Sequence, residues 1–390
     1  MATPDVLAPA KLGPITLRNR IIKSATFEGR TPDALVTDDL IEFHRRPSRG
    51  GVGMSTVAYC AVAPEGRTER GQLWMRDEAV PGLRRLTDAI HAEGAAASAQ
   101  LGHAGPVANG KSNGLPALAP SRSFNPMSMR RIHAATVADI ERITAAHGTA
   151  ATIAVESGFD AVEIHFGHNY FASSFLSPQL NHRTDAYGGS LENRARVVLE
   201  TARTVREAVG GRIAILAKLN MADGVRGGFQ LDEAVQVAQW LEADGSLDAL
   251  ELTVGSSLLN PMYLFKGDAP VKEFAAVMPQ PARLGVKLIG KKFLRSYPYT
   301  PLFMLEQARQ VRAAVKMPLV LLGGVTDRAG MDTAMSEGFE FVAMARALLM
   351  EPDLVNRIAK DSSTESRCTH CNLCMPTIFT GARCALVDRG

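Results

Sequence analysis

From end to end the chain alternates short apolar runs with amphipathic segments. The runs are IIKSAT, VGMSTVAYCAV, AAASAQL, AVEIHF, IAILAKLN, ALELTVG, PLVLLGG and FEFVAMA. Helix-period patterns lie between them: DDLIEFHRR, PGLRRLTDAIHAEG, VADIERITAAHGTAATIAVESG, LENRARVVLETARTVREAVG, LDEAVQVAQWLEADG and FMLEQARQVRAAV, with DLVNRIAK as a final helix. Strands that are apolar throughout and joined by helices pair in parallel, because the helices cover both faces of the sheet. Eight such units close a (β/α)8 TIM barrel, so the expected fold class is α/β.

Two segments interrupt the rhythm, at about 102–134 and 256–299. Each follows the C-terminal end of a strand, where barrels build active sites and lids. The expected organisation is a barrel over 1–361 carrying these two lids, then a cysteine-rich C-terminal extension over 362–390. With 390 residues the chain has room for a barrel with insertions. A net charge of +3, without a dense basic block, argues against nucleic acid as a partner. The N-terminus MATPDVLAPAKLG lacks the basic and apolar regions of a secretory signal. No apolar run approaches the ~20 residues that span a bilayer. The expectation is a cytoplasmic protein with a small-molecule partner and no membrane contact, and a homo-oligomer is compatible with it.

The strand ends carry the chemistry. They are Ser24, Ala25 and Thr26 after the first strand and Gln100 after the third. His165 follows the fourth, Lys218 and Asn220 the fifth, Gly323 and Gly324 the seventh, and Ala345 and Arg346 the eighth. In a barrel all converge on one mouth. Glycines after strand seven and an arginine after strand eight suit a phosphate, or simply a tight turn beside a surface ion pair. Lys218, on a buried strand, requires an anionic or electron-rich partner, which a neighbouring strand's carboxylate could also be. Gln100 offers a donor and an acceptor, to a flat heterocycle or to backbone. In HFGHNYF, His165 and His168 can both donate to one carbonyl oxygen, and Tyr170 can supply a proton. H-x-x-H also allows zinc, but no third ligand lies nearby.

These residues resemble the Old Yellow Enzyme family of FMN-dependent NAD(P)H:flavin oxidoreductases. The densest resemblance is EIHFGHNYFASSFLSPQLNHRTDAYGGSLENRARVVLE, from Glu163 to Glu200. LRNRI, PEGR, QLGHAG, LAKLN, LLGGV and MARALLMEPDL extend it over nearly the whole chain. The resemblance implies FMN in the barrel mouth, with NAD(P)H as co-substrate. Ser24, Ala25, Thr26 and Tyr59 would line the flavin, Gln100 would bond its pyrimidine edge, and Lys218 would lie near N1 and O2. Gly323, Gly324, Ala345 and Arg346 would hold the phosphate. His165 and His168 would grip a substrate carbonyl while Tyr170 protonates the α-carbon. The implied activity is ene-reduction of α,β-unsaturated carbonyl compounds.

Four features depart from the family pattern. Lys218 stands where many relatives have Arg, Tyr59 where a small residue is common, and Phe27 where a flavin-tuning residue is usual. Asn169 and Phe171 replace Gly and Leu around the tyrosine. Tyr59 resembles trimethylamine dehydrogenase, which makes amine oxidation the alternative activity. Cys368, Cys371, Cys374 and Cys384 follow the spacing C-x2-C-x2-C-x9-C. Four thiolates so spaced can ligate a [4Fe–4S] cluster, as in longer family members, or zinc, or they can stand free.

Overall fold

The computed structural model describes residues 3–125, 129–278, 280 and 282–387. Parts of both lids (126–128, 279 and 281) and the end of the tail (388–390) lie outside the described residues. Eight strands form a closed barrel in which every neighbouring pair is parallel. They are β1 (Ile21–Lys23), β2 (Met54–Ala61), β3 (Ala96–Gly102), β4 (Ala161–Phe166), β5 (Ala214–Asn220), β6 (Ala249–Thr253), β7 (Leu319–Leu322) and β8 (Phe341–Met344). These are the eight apolar runs, in chain order. Their helices are α1 (Asp38–Arg49), α2 (Val80–Ala92), α3 (Val137–Glu156), α4 (Leu191–Val209), α5 (Leu231–Asp244), α6 (Leu305–Ala314), α7 (Arg328–Ser336) and α8 (Leu354–Lys360).

Local chemistry explains where these elements begin. The Thr136 hydroxyl accepts from the Asp139 N–H, and the Asp139 carboxylate accepts from the Thr136 N–H, closing a capping box on α3. The Ser190 hydroxyl caps α4 at the Asn193 N–H. Helix α7 has no counterpart among the periodic segments read from the sequence, since it is short and carries Gly330 within its first turn. The Asp327 side chain starts it by accepting the Gly330 N–H at 2.7 Å. Strand β1 stops at Lys23 rather than at Thr26; Ser24 adds one more ladder bond, its N–H donating to Met344 O at 2.9 Å.

Alternate residues point into the barrel and stack in layers. At the floor, Ile22, Met54, Ala161, Leu216, Ala249, Val320 and Phe341 pack together. An antiparallel hairpin of Ala10–Leu12 with Ile15–Leu17 caps this floor through Leu12 and Leu17. The helices bury the outer face of the barrel in a second apolar cluster. Above the floor, the inward residues turn polar. The first lid holds a three-stranded sheet, and the second holds the helices Pro261–Phe265, Val271–Val277 and Ala282–Phe293. No helix among the described residues is long and apolar enough to cross a membrane.

The hairpin is therefore part of the core although the βα rhythm does not include it. Leu17 is 1% exposed, and Leu17→Ala is expected to destabilise the fold by about 2–5 kcal/mol. Chemical denaturation measures this, and an unchanged midpoint would show that the hairpin lies outside the cooperative core.

Candidate active site

Directly above the apolar floor sits a buried polar layer. Lys218 on β5 lies opposite Glu251 on β6, and on its other side opposite His165 on β4. Its ammonium is 2.7 Å from Glu251 Oε1 and 3.1 Å from Glu163 Oε2. The third direction reaches the Ser24 hydroxyl at 3.3 Å, which in turn donates to Glu251 Oε1 at 2.7 Å. Gln100 donates to Glu163 Oε2 at 2.5 Å. None of these five residues is more than 5% exposed. Burial, reinforced by Glu251 and opposed by Lys218, pushes the Glu163 carboxyl up to about 8. Lys218 thus stands between two buried carboxyls, of which Glu163 is biased toward its neutral form.

The rings stand one layer higher. His165 follows Glu163 on the same face of β4, and His168 and Tyr170 lie on the turn that leaves this strand. The His165 ring centroid is 5.0 Å from His168 and 4.5 Å from Tyr170. Tyr59, from β2, packs edge-on to Tyr170 at 5.3 Å. The turn is left-handed at His168 and Asn169, with φ of 60° and 58°. Two side-chain anchors hold it there. His168 Nε2 shares a hydrogen bond with Thr253 Oγ1 at 3.0 Å, and Asn169 donates to Asp223 at 3.0 Å. Tyr170 is set from the other side: Phe171 N donates to His103 O at 2.8 Å. Gly105 allows this approach, because a Cβ there would lie 2.6 Å from the Phe171 backbone.

Burial and the nearby Lys218 charge drive both histidines toward the neutral form, His168 down to about 3 and His165 well below its ordinary value. Burial raises the Tyr170 hydroxyl above its ordinary value. Two neutral imidazoles and a protonated phenol thus share one pocket. Buried atoms with no partner among the described residues cluster here: His165 Nδ1, Asn220 Oδ1 and Glu251 Oε2. A flat ligand with polar edges would satisfy such a set.

The remaining residues singled out from the sequence divide into three groups. Ala25 packs with Ala58, Tyr59 and Tyr170 at the rim, and Thr26 turns its hydroxyl back to Ser24 O at 3.2 Å. The Tyr59 hydroxyl donates to Gly66 O. Gly323 and Gly324 adopt φ of 101° and 81°, and a Cβ on Gly324 would lie 2.7 Å from Leu302 N. Arg346 opens the short helix that follows β8. Its guanidinium donates to Asn372 Oδ1 at 2.6 Å and to Phe265 O at 2.6 Å, so it faces the tail and the second lid. It lines one cavity together with Cys368, Cys371, Cys374 and Cys384. All four cysteines are free thiols. They share that wall, and among the described residues no three His, Cys, Asp or Glu side chains stand as a ready ligand set. Burial pushes Cys374 up to about 12.

Sequence reading missed Glu163 and Glu251 as site residues, and with them Thr253 and Asp223. The signal was available: each acid interrupts an apolar run, AVEIHF and ALELTVG, in the inward phase. A second buried chain also escaped notice. His44 Nε2 bonds Glu28 at 2.7 Å and His44 Nδ1 bonds Ser55 at 2.9 Å. Glu28 also accepts the Ala58 N–H at 2.8 Å, which fixes β2 immediately before Tyr59.

The chain matches the profile of the NADH:flavin oxidoreductase / NADH oxidase family over residues 5–253. It is 53% identical over 386 residues to the 4,4'-dithiodibutanoate disulfide reductase of Rhodococcus erythropolis, covering 99% of this chain and 96% of that protein. Among solved structures, a 2-naphthoyl-CoA reductase in complex with 2-naphthoyl-CoA superposes with a TM-score of 0.83 at 24% identity, covering 98% of this chain and 57% of that one. The Old Yellow Enzyme homologue from Zymomonas mobilis gives a TM-score of 0.73 at 22% identity, covering 94% of this chain and 96% of that one. At such identities the two structures speak for the fold.

The elevated Glu163 carboxyl has a direct consequence for stability. A folded pKa above the unfolded one means that its contribution is full below the ordinary carboxylate range. It is lost as pH rises toward about 8. Over that window stability should fall by up to about 1.4 kcal/mol per pH unit through this group. Glu163→Gln, which keeps the neutral shape, should flatten the dependence in denaturant titrations between pH 5 and pH 8. An identical slope in the variant would mean that Glu163 is ionised in the fold.

Proposed function

The chain belongs to the NADH:flavin oxidoreductase / NADH oxidase family, as an FMN-dependent enzyme of the Old Yellow Enzyme type, and from that premise we propose that its barrel mouth reduces activated C=C bonds of α,β-unsaturated carbonyl compounds. The observation that carries this reading is the position of His165 between His168, at 5.0 Å, and Tyr170, at 4.5 Å. FMN, when bound, supplies hydride chemistry between NAD(P)H and an electrophile. The protein has two tasks left, to stabilise charge and to deliver a proton. His165 and His168 are neutral donors to the carbonyl oxygen, and their bonds strengthen as that oxygen gains charge. Tyr170 keeps its proton at neutral pH and gives it to the α-carbon.

The partnerless buried atoms at the mouth and the donor set fit the flavin. Gln100, Lys218, Ser24, Ala25, Thr26 and Tyr59 would border its ring, and Gly323, Gly324, Ala345 and Arg346 its phosphate end. In this reading Lys218 acts chiefly as a fixed positive charge, since its three hydrogen-bond directions are occupied from within the barrel. On the same reading residues 1–361 form the catalytic barrel and 362–390 a metal-binding appendage of a cytoplasmic enzyme, with Cys368, Cys371, Cys374 and Cys384 as ligands of a [4Fe–4S] cluster.

A second acceptor class is favoured by the Rhodococcus disulfide reductase, which is 53% identical over 99% of this chain. Reduction of an organic disulfide needs hydride at one sulfur and release of the other as a thiolate. Tyr170 can protonate that thiolate as it would the α-carbon. Tyr59 and the cysteines are what the amine-oxidation alternative draws on; anaerobic bleaching of the flavin by an alkylamine would favour it over both.

Tyr170→Phe separates the two half-reactions. Reduction of the flavin by NAD(P)H requires no proton from Tyr170 and should proceed as in the wild type. Reoxidation by an enone should slow by roughly 10²–10⁴-fold. Stopped-flow traces of each half-reaction measure this, and wild-type reoxidation would remove Tyr170 from the role. Protein purified without oxygen should contain about four iron and four sulfide per chain; stoichiometric zinc without sulfide would replace the cluster with a structural zinc site.

A further inference from the structure

Lys266 occupies an unusual position in the second lid. Its ammonium lies over two tyrosine rings, 3.8 Å from the centroid of Tyr263 and 4.6 Å from that of Tyr297. The rings stand edge to face, 5.6 Å apart. Among the described residues no carboxylate lies within salt-bridge distance of Lys266. Its backbone is left-handed, with φ of 50°, a conformation that L side chains other than Asn and Asp seldom adopt. Burial lowers its pKa from the ordinary lysine value, and no nearby acid counters the shift. The side chain is half-buried, oriented by aromatic faces and left open toward an anion.

The cage stands on the rim of the mouth. Tyr263 rests on Gly224, where a Cβ would lie 2.5 Å from the ring. Gly224 follows Asp223, the acceptor for Asn169 beside His168. The same rim is tied to the substrate histidine directly, since Ser257 N donates to His168 O at 3.1 Å. On the far side the Lys266 carbonyl accepts from Asn372 Nδ2 at 2.7 Å. An acceptor whose reacting atoms lie under His165 and His168 would direct a substituent along this rim.

We propose that Lys266, held by Tyr263 and Tyr297, is a specificity-determining site for a carboxylate that the electron acceptor carries a few bonds from its reacting group. This rests on the assignment of the mouth as the acceptor site. The charge and geometry favour a carboxylate: a single ammonium can offer it a charge-assisted hydrogen bond, while the tyrosine rings exclude water on the other sides. The proposal also accounts for an aromatic cage in a lid where the His–His–Tyr cluster alone would accept any carbonyl compound.

The test uses oxidised holoenzyme and needs no turnover, so it stands apart from whether enones or disulfides are the better acceptors. Two probes are titrated by flavin absorbance or calorimetry: a carboxylate-bearing disulfide, 4,4'-dithiodibutanoate, and its dimethyl ester. The wild type should bind the acid more tightly than the ester. Lys266→Met keeps an apolar stem against both rings and should weaken the acid about 10- to 100-fold, leaving the ester unchanged. Lys266→Arg should restore binding of the acid to within a few-fold. Equal binding of acid and ester by the wild type, or unchanged binding of the acid by Lys266→Met, would overturn the proposal. So would a variant that loses FMN while holding the acid normally, since the ammonium would then serve the cofactor phosphate. Failure of the mouth assignment reads differently: neither probe would perturb the flavin in any of the three proteins.

Discussion

The arrangement depends on one buried ammonium. Lys218, 2% exposed, is neutralised within the barrel by Glu251 and Glu163. Removing a charge from water is costly unless its hydrogen bonds are fully replaced, and all three of its protons have acceptors here. Glu251 lies closer and also receives the Ser24 hydroxyl, while burial and the facing Glu251 hold the Glu163 carboxyl above its ordinary range. The positive charge acts on the buried rings above it and, with burial, helps hold His165 and His168 neutral.

Much of this was legible from the sequence because barrels translate pattern into position. Eight apolar runs gave eight strands, and their last residues met at one mouth. His165, His168 and Tyr170 came together because strand β4 ends beside them and a left-handed turn folds them back. What the pattern could not convey was pairing across strands. Lys218 was recognised as needing a partner, and a neighbouring carboxylate was one of two options; the register that sets it opposite Glu251 is invisible until the barrel closes. Ser24, expected at the ligand, also joins the ion pair through its hydroxyl. Helix α7 was missed because a glycine and a run of small residues mask its period, and the N-terminal hairpin because six residues of strand carry too little alternation to register.

Arg346 shows a different limit. Its position after the eighth strand suited a phosphate, and local sequence offered nothing to contradict that. The tail returns to place Asn372, 26 residues further on, beside it. A contact made by an appendage folding back cannot be read from βα periodicity, since the appendage has none. The cysteines illustrate the same point from the other side: their spacing brings them to one wall, but spacing alone does not fix where the sulfur atoms aim.

The lid and the tail are mechanically joined to the chemistry. Asn372 is 1% exposed and donates to both Lys266 O and Asp268 O while accepting from Arg346. Tyr299 of the lid stacks on His370, two residues before Asn372, at 3.4 Å. Gly267 presses so close to the His370 carbonyl that a Cβ would lie 2.2 Å from it. From there the lid runs back through the Pro261–Phe265 helix to Ser256, which pairs with His168. His168, the Lys266 cage and the cysteine loop are therefore joined through one series of hydrogen bonds and packing contacts. A shift of residues 370–372 would reach Lys266 through the Asn372 side chain, which donates to the Lys266 carbonyl.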